Sequence, residues 1–131
     1  MIVVDTSAWI EHLRATESPA DRQLVRLLET SAEIAVTEVV VGEVLAGMPH
    51  RDVAATRDWL LGFPVLRLRG LADFELAAAL SRACRDAGDA VRHLTDCLVA
   101  VPTIRAGATL LHADRDFDKL ARHSPLEVLS V

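Results

Sequence analysis

The sequence predicts an α/β fold, a three-layer α/β/α sandwich in which helices cover both faces of a central parallel sheet. Short runs of β-branched and aliphatic residues alternate with longer segments of helical periodicity. The short runs lack the polar–apolar alternation of half-exposed strands, which is typical of strands buried on both faces. With 131 residues, 51% of them hydrophobic, the chain is long enough for one core. We therefore expect a single domain over residues 1–131.

The elements of the first half begin and end at residues with local preferences. Ile2–Val4 is a compact apolar run and predicts a strand, and Asp5-Thr6-Ser7 ends it with side chains that can cap a helix. A second helix is predicted from Ser18-Pro19, because proline is favoured in the first turn. Ile34–Val36 predicts the second strand, and Thr37 caps the helix that follows it.

The second half continues the alternation. A helix is predicted over Asp52–Leu61, a third strand over Val65–Leu68, and an Ala- and Leu-rich helix over Leu71–Ala87 that ends at Gly88. Pro102 lies inside the next predicted helix and is expected to bend it. The remaining elements are a helix over Asp96–Ala106, a strand over Thr109–His112, a helix over Asp116–His123 and a strand over Glu127–Leu129.

Charge, hydropathy and cysteine content exclude several classes of protein. The formal net charge of −5 would disfavour an anionic partner if it were spread evenly over the surface. No apolar run approaches the roughly 18–20 residues that span a bilayer, and no basic segment precedes Ile2–Val4. Cys84 and Cys97 are too few for a disulfide scaffold, so we interpret them as core residues. We expect a cytoplasmic protein that does not bind membranes.

Acidic residues occupy positions where parallel sheets bind ligands, beyond the carboxyl ends of the strands. Asp5 follows the first strand, and Asp114 and Asp116 follow the fourth. Glu43 lies in an apolar helical stretch, which argues against a simple solvent-facing charge, and Asp96 heads a helix of buried character. The local sequences supply no obvious cation to pair with these groups. Carboxylates gathered in this way predict a binding site for Mg²⁺ or Mn²⁺. A phosphodiester is the natural substrate of such a site.

Each acid also has an ordinary interpretation. Asp5 alone could be a helix cap, Asp96 a first-turn acid, and Asp114-Arg115-Asp116 a solvated turn. Glu38 and Asp118 are interpreted as surface charges. The combined pattern is harder to explain in this way than any single member of it.

Four segments together resemble a PIN domain and, more narrowly, the VapC-type ribonuclease toxins of prokaryotic toxin–antitoxin pairs. These segments are Asp5-Thr6-Ser7 after a strand, Glu43 in its apolar helix, Thr95 to Ala100, and Leu110 to Phe117. They occur in the family's order and span essentially the whole chain. The resemblance implies a sheet of order 3-2-1-4-5 and a metal-dependent endoribonuclease that uses metal-activated water to leave a 5′-phosphate and a 3′-hydroxyl.

The resemblance also implies roles for individual residues. It makes Asp5 and Asp96 the principal Mg²⁺ ligands, with Glu43 and Asp114 completing a catalytic acidic pocket. Asp116 would support the metal directly or through water, and Mn²⁺ could substitute for Mg²⁺. The residues expected to orient Asp5 or a water are Thr6 and Ser7. Together, Asp5, Glu43, Asp96, Asp114 and Asp116 carry a formal charge equal to the whole net charge of −5, so net acidity does not exclude RNA.

The partners implied by the resemblance are an RNA substrate, a second copy of the chain and a VapB-type antitoxin, with DNA contacted only through that antitoxin in a hetero-oligomer. The apolar faces that carry Leu45 and Leu76–Leu80 could form protein contacts or ordinary core. Four arginines are the first to test for RNA contact: Arg14, Arg85, Arg92 and Arg115. We interpret Trp9 and Trp59 as core residues and assign no chemistry to His12, His93 and His112.

Two alternatives remain open at the level of sequence. Asp114 and Asp116 after a strand are also typical of haloacid dehalogenase-like phosphatases, although in those enzymes the motif opens the fold. A response-regulator receiver is disfavoured, because Arg69-Gly70 follows the third strand where an acceptor aspartate would be needed. The second open alternative is a non-catalytic PIN-like scaffold, which predicts gaps among the acids.

Overall fold

The computed structural model describes residues 1–129 of the chain. The five strands are β1 (Ile2–Val4), β2 (Ile34–Thr37), β3 (Val65–Leu66), β4 (Thr109–Leu111) and β5 (Glu127–Val128). The seven α-helices are α1 (Thr6–Leu13), α2 (Pro19–Glu29), α3 (Glu38–Ala46), α4 (Val53–Leu60), α5 (Leu71–Asp86), α6 (Leu94–Arg105) and α7 (Asp116–Arg122). A single 3₁₀ turn, His50–Asp52, leads into α4.

The strands form one parallel sheet in the order β3-β2-β1-β4-β5, as predicted. From β1 the chain runs through β2 to β3 at one edge of the sheet. It then reverses direction across the sheet and forms β4 on the other side of β1. Because crossovers between parallel strands are right-handed, this reversal puts the helices between β1 and β3 on one face and α5, α6 and α7 on the other. The reversal lies between β1 and β4, which are paired through Val3 and Leu110. A crevice is expected beyond the carboxyl ends of these two strands.

Three helices begin at a side-chain cap: Thr37 caps α3 as predicted, the Asp5 carboxylate rather than a hydroxyl caps α1, and Ser18 caps α2. Ser7 N donates to Asp5 Oδ2 at 2.9 Å, and Asp21 N donates to Ser18 Oγ at 3.2 Å. Val40 N similarly donates to the Thr37 hydroxyl at 3.2 Å. These bonds satisfy amide groups that the first turn of a helix leaves without partners.

The core lies on both faces of the sheet and is built from aliphatic side chains and two large aromatic residues. Trp9 on α1 and Phe117 on α7 are fully buried. Cys84 and Cys97 are buried free thiols, as expected. Trp59 differs from the prediction: it is 40% exposed and packs edge-on against Trp9. No helix among residues 1–129 is long and apolar enough to cross a membrane.

One strand ends earlier than the sequence predicts, and the helix that contains Pro102 is unbroken. Strand β3 ends at Leu66 instead of Leu68, because Leu68 N donates to Glu38 Oε1 at 2.7 Å and leaves the sheet. Pro102 does not interrupt α6, which is continuous to Arg105. Only the last turn of the helix follows Pro102, and the Thr103 hydroxyl bonds to the Val99 carbonyl at 2.8 Å within the same segment.

Candidate active site

An open cleft of about 350 Å³ lies beyond the carboxyl ends of β1 and β4, where the chain reverses. It contains four of the five acids that the sequence singled out, and both residues predicted to support them. The lining residues are Asp5, Thr6, Ser7, Ile10, Glu43, His93, Thr95, Asp96 and Asp114. The structure therefore brings together residues from the ends of two strands and the first turns of α1 and α6, with Glu43 contributed by α3.

Asp5 is held in place by Ser7 and by the loop after β4. The Ser7 backbone N–H and hydroxyl both donate to Asp5 Oδ2, at 2.9 and 2.6 Å. Ser7 Oγ in turn accepts the Ala113 N–H at 2.9 Å, which ties α1 to the loop after β4. Burial raises the pKa of Asp5, the charge of Glu43 adds to this, and the bonds from Ser7 oppose it.

Glu43 reaches the cleft from α3 and is oriented by Thr6. The Thr6 hydroxyl donates to Glu43 Oε1 at 2.8 Å across 37 residues of sequence. The residue is exposed, but it lines the cleft and accepts the Thr6 hydrogen bond, so it is not a simple solvent-facing charge. Val44 beside it is buried, because successive positions of a helix point in different directions and the apolar stretch does not enclose Glu43.

Asp96, in the first turn of α6, has a strongly perturbed carboxyl group. Its Oδ2 atom is buried and has no hydrogen-bond partner among residues 1–129. Burial raises the pKa of Asp96 to about 7, and the negative charges of neighbouring carboxylates, Asp5 first among them, add to this shift. A buried acceptor without a donor is costly in a folded protein. This oxygen is therefore suited to a cation that enters from outside the chain.

Asp114 is positioned by the loop after β4. The Asp114 N–H donates to Nδ1 of the buried His112 at 3.1 Å, and Nε2 of the same ring lies 3.2 Å from Asp118 Oδ1. This arrangement orients the loop that carries Asp114. His112, to which the sequence assigned no chemistry, therefore supports the site without lining it.

Asp116 is the fifth predicted acid, and it is enclosed by cations. Its side chain is 1% exposed. Oδ2 accepts from the Arg92 backbone N–H at 3.0 Å and from Arg92 Nε at 2.9 Å, and Lys119 Nζ lies 3.1 Å from Oδ1. Burial by itself would raise the pKa of Asp116, but these bonds lower it to about 2. The expectation that no cation accompanies the acids is therefore wrong.

Arg92 also reaches Asp114. Its Nη2 donates to both oxygens of Asp114, at 2.9 and 3.1 Å. The carboxylates of Asp116 and Asp114 raise the pKa of the Arg92 guanidinium, which stays charged at any physiological pH. Arg92 was predicted to be a possible RNA contact, and in the structure it is bound to the acidic cluster.

Three of the carboxylates are close enough to share an ion. One oxygen each of Asp96, Asp114 and Asp116 lies within 4.8 Å of the other two. An all-oxygen set of carboxylates fits a hard divalent cation such as Mg²⁺ or Mn²⁺, and the unpartnered Asp96 oxygen is a position that such an ion would satisfy.

Several residues of the site were not found from the sequence as parts of it. They are Arg92 and Lys119 as counterions, His112 as a support, and Ile10, His93 and Thr95 as lining residues. One signal was available: a buried acid such as Asp116 at the start of α7 requires a cation. The sequence could not say which of its arginines supplies it.

The other residues predicted to be of interest lie elsewhere or play smaller parts. Arg14, Arg85 and Arg115 are exposed, and Arg85 Nε lies 3.7 Å from Asp86. His12 bonds to Asp21 at 2.9 Å and is not among the residues that line the cleft. Glu38 and Asp118 lie at the surface as expected, although each contacts a neighbouring residue.

Comparisons with known proteins show the family to which the chain is similar. The PIN domain family matches residues 2–123. The chain is 43% identical over 132 residues to a VapC ribonuclease of Mycobacterium bovis and to the ribonuclease VapC11 of Mycobacterium tuberculosis, covering 99% of this chain and 98% of each relative. These identities extend over nearly the full length of both proteins.

Two solved structures share the fold at lower identity. The toxin VapC20 of Mycobacterium tuberculosis, described as cleaving the sarcin–ricin loop, matches with a TM-score of 0.69 and 18% identity over 97% of this chain and 99% of that one. VapBC2 from Rickettsia felis, bound to a DNA fragment from its promoter, matches with a TM-score of 0.72 and 17% identity over 98% of each chain. On the strength of the family match and the full-length identity, the chain belongs to the PIN domain family and, within it, to the VapC ribonucleases.

Proposed function

We propose that the chain is a Mg²⁺-dependent endoribonuclease that acts as the toxin of a toxin–antitoxin pair, with Mn²⁺ able to replace Mg²⁺. The observation that carries the proposal is the buried Asp96 oxygen, which lacks a partner among residues 1–129 and lies in an acidic cleft. The 43% identity to ribonucleases over the full chain supports RNA as the substrate.

Asp5, Asp96 and Asp114 are the proposed metal ligands that line the cleft. When bound, a divalent cation makes water more acidic and offsets the negative charge that develops on the phosphoryl group. The two hydrogen bonds from Ser7 favour the ionised form of Asp5 and orient its carboxylate, so that this ligand needs little rearrangement on binding. Asp116, also predicted to be a ligand, supports the cluster from a buried position.

Glu43 is the proposed proton acceptor. The Thr6 hydroxyl bonds to Glu43 Oε1 at 2.8 Å, which fixes the carboxylate at the rim of the cleft and leaves Oε2 to receive a proton from the attacking water. Attack by water at phosphorus and departure of the 3′ oxygen would leave a 5′-phosphate and a 3′-hydroxyl.

The proposed partners follow from the relatives. Several structural neighbours are VapBC toxin–antitoxin complexes, and one is bound to promoter DNA. We propose that this chain likewise pairs with a VapB-type antitoxin, forms a homodimer within that complex and reaches DNA only through the antitoxin.

The proposal is tested by RNA cleavage with purified protein in Mg²⁺, in Mn²⁺ and in a chelator. We expect Asp96→Asn and Asp5→Asn to lower the rate by about 100-fold or more, because each removes a charged ligand. Asp58→Asn is the matched control, since the Asp58 side chain is 77% exposed on α4. Cleavage at the wild-type rate by Asp96→Asn, under matched Mg²⁺ and with a folded protein, would refute the assignment.

The two alternatives make different predictions. A non-catalytic scaffold would bind no Mg²⁺ or Mn²⁺ in a calorimetric titration and cleave no RNA. A dehalogenase-like phosphatase would need Asp114 or Asp116 as a nucleophile. Asp116 is 1% exposed and bonded to Arg92, and Asp114 accepts from the same guanidinium on both oxygens, which argues against this reading.

A further inference from the structure

Arg92 is anchored to the acidic cluster at two levels. Its backbone N–H and its Nε both donate to Asp116 Oδ2, while its Nη2 spans the two oxygens of Asp114. The side chain is 59% exposed, so it could extend into solvent, yet it makes three hydrogen bonds to carboxylates. A planar guanidinium is suited to bridging two carboxylates in this way.

The position of Arg92 divides the cluster into two parts. On one side, Asp116 Oδ2 accepts from Arg92, and Lys119 Nζ lies 3.1 Å from Oδ1, which is buried and makes this ion pair but no hydrogen bond within residues 1–129. On the other side, Asp96 has a buried oxygen without a hydrogen-bond partner in the part of the chain that the structure describes. A second ion between Asp114 and Asp116 would have to compete with the guanidinium for the same oxygens.

We propose that Arg92 is a built-in counterion that takes the place of a second metal ion. One oxygen of Asp116 lies within 4.8 Å of oxygens of Asp96 and Asp114, but Arg92 holds Asp116 in an ion pair, so that the chain binds a single divalent cation through Asp5, Asp96 and Asp114. This inference rests on the proposed function, since it concerns how many ions the same site holds. Arg92 acts in it as a positioning residue: it fixes Asp114 and neutralises Asp116 without touching the reacting atoms.

The test counts ions and needs no RNA. Mn²⁺ is titrated into the full chain, free Mn²⁺ is followed by electron paramagnetic resonance, and thermal melting is recorded in parallel. We expect one Mn²⁺ per chain for the wild type and two for Arg92→Met. Arg92→Lys keeps the positive charge and should retain one. Arg115→Met is the matched control, because it removes an exposed arginine located between the same two acids in sequence and should also retain one.

The stability of Arg92→Met provides a second readout. Loss of the guanidinium leaves Asp116 buried beside Lys119 alone, so the metal-free variant should melt at a lower temperature than the wild type. Mn²⁺ should then raise the melting temperature of Arg92→Met by more than that of the wild type. If Arg92→Met is unfolded without metal, Mn²⁺ should refold it with two ions per chain. Failure to refold would contradict the proposal that a second metal ion can take the place of the Arg92 guanidinium.

The outcomes separate this inference from the proposed function. No Mn²⁺ bound to the wild type would overturn both, because the site would not be a metal site. Two ions bound to the wild type would overturn the role of Arg92 and leave the metal-dependent nuclease intact. One ion bound to both the wild type and Arg92→Met would also overturn the role of Arg92, since the guanidinium would then be a counterion that the metal ion displaces.

Discussion

Replacing Asp96 with asparagine should stabilise the metal-free protein while abolishing its activity. The pKa of Asp96 is raised from 3.8 to about 7, so folding favours the protonated carboxyl group. The folded protein therefore loses stability as the pH rises from about 4 to about 7, the interval in which only the unfolded chain has ionised this group. Asparagine has a similar shape and carries no charge at any pH, so the variant should not show this loss.

The magnitude follows from the size of the shift. A change of about three pKa units corresponds to a ceiling of about 4 kcal/mol at pH 8, at about 1.4 kcal/mol per unit. Asp96 is partly exposed, and solvent screens part of that energy, so we expect Asp96→Asn to gain about 2 kcal/mol at pH 8. The gain should shrink toward zero near pH 4, where the wild-type carboxyl group is also neutral.

The assay is urea denaturation with a chelator present, at pH 8 and near pH 4, for the wild type, Asp96→Asn and Asp58→Asn. The exposed Asp58 serves as the control for loss of one carboxylate, and its variant should follow the wild type at both pH values. Adding Mg²⁺ at pH 8 should reverse the order, because only the wild type retains the ligand. Equal stability of the wild type and Asp96→Asn at pH 8 would show that Asp96 is not held in an unfavourable charged state.

Three further predictions concern the residues around the acids. Ser7→Ala removes the hydroxyl that bonds to Asp5 at 2.6 Å, so it should lower the free energy of unfolding by about 2 kcal/mol and weaken Mn²⁺ binding. Unchanged Mn²⁺ affinity in a calorimetric titration would contradict the role of Ser7. Thr6→Val removes the hydrogen bond that orients Glu43, so it should lower the RNA cleavage rate about 10-fold and leave the Mn²⁺ affinity unchanged. A parallel loss of Mn²⁺ affinity would indicate that Glu43 is a metal ligand instead. Arg105→Met removes the guanidinium that pairs with the buried Asp73 on α5 and leaves that carboxylate with only the Arg69 N–H as a bonded donor, so urea denaturation should show a loss of about 3 kcal/mol, with Mn²⁺ binding retained.

Most of the fold was predictable because its signals are local. The strand Ile2–Val4 and the cap at Thr37 are visible in a few consecutive residues, and both occur as predicted. The end of β3 was not predictable, because Leu68 leaves the sheet for the side chain of Glu38, which lies 30 residues earlier. Hydrophobic periodicity carries no information about such a contact.

The candidate site divides in the same way. The acids were identifiable from their places after strands and in first turns, and Asp5, Glu43, Asp96 and Asp114 do line one cleft. The exposure of Glu43 was not identifiable, because an apolar stretch of sequence does not tell which way one helical position points.

Sequence patterns alone predict the fold class, the order of the elements and the carboxylates that gather beyond the ends of β1 and β4. These properties follow from short-range patterns of burial and capping, and from the rule that parallel strands present their carboxyl ends at one edge. The electrostatic state of each acid, in contrast, depends on contacts between residues that are distant in sequence. Arg92 neutralises Asp116 across 24 residues and reaches Asp114 across 22, whereas the buried oxygen of Asp96 finds no donor within residues 1–129. The free energy of a charge depends on its neighbours in space, and that neighbourhood exists only once the chain has folded.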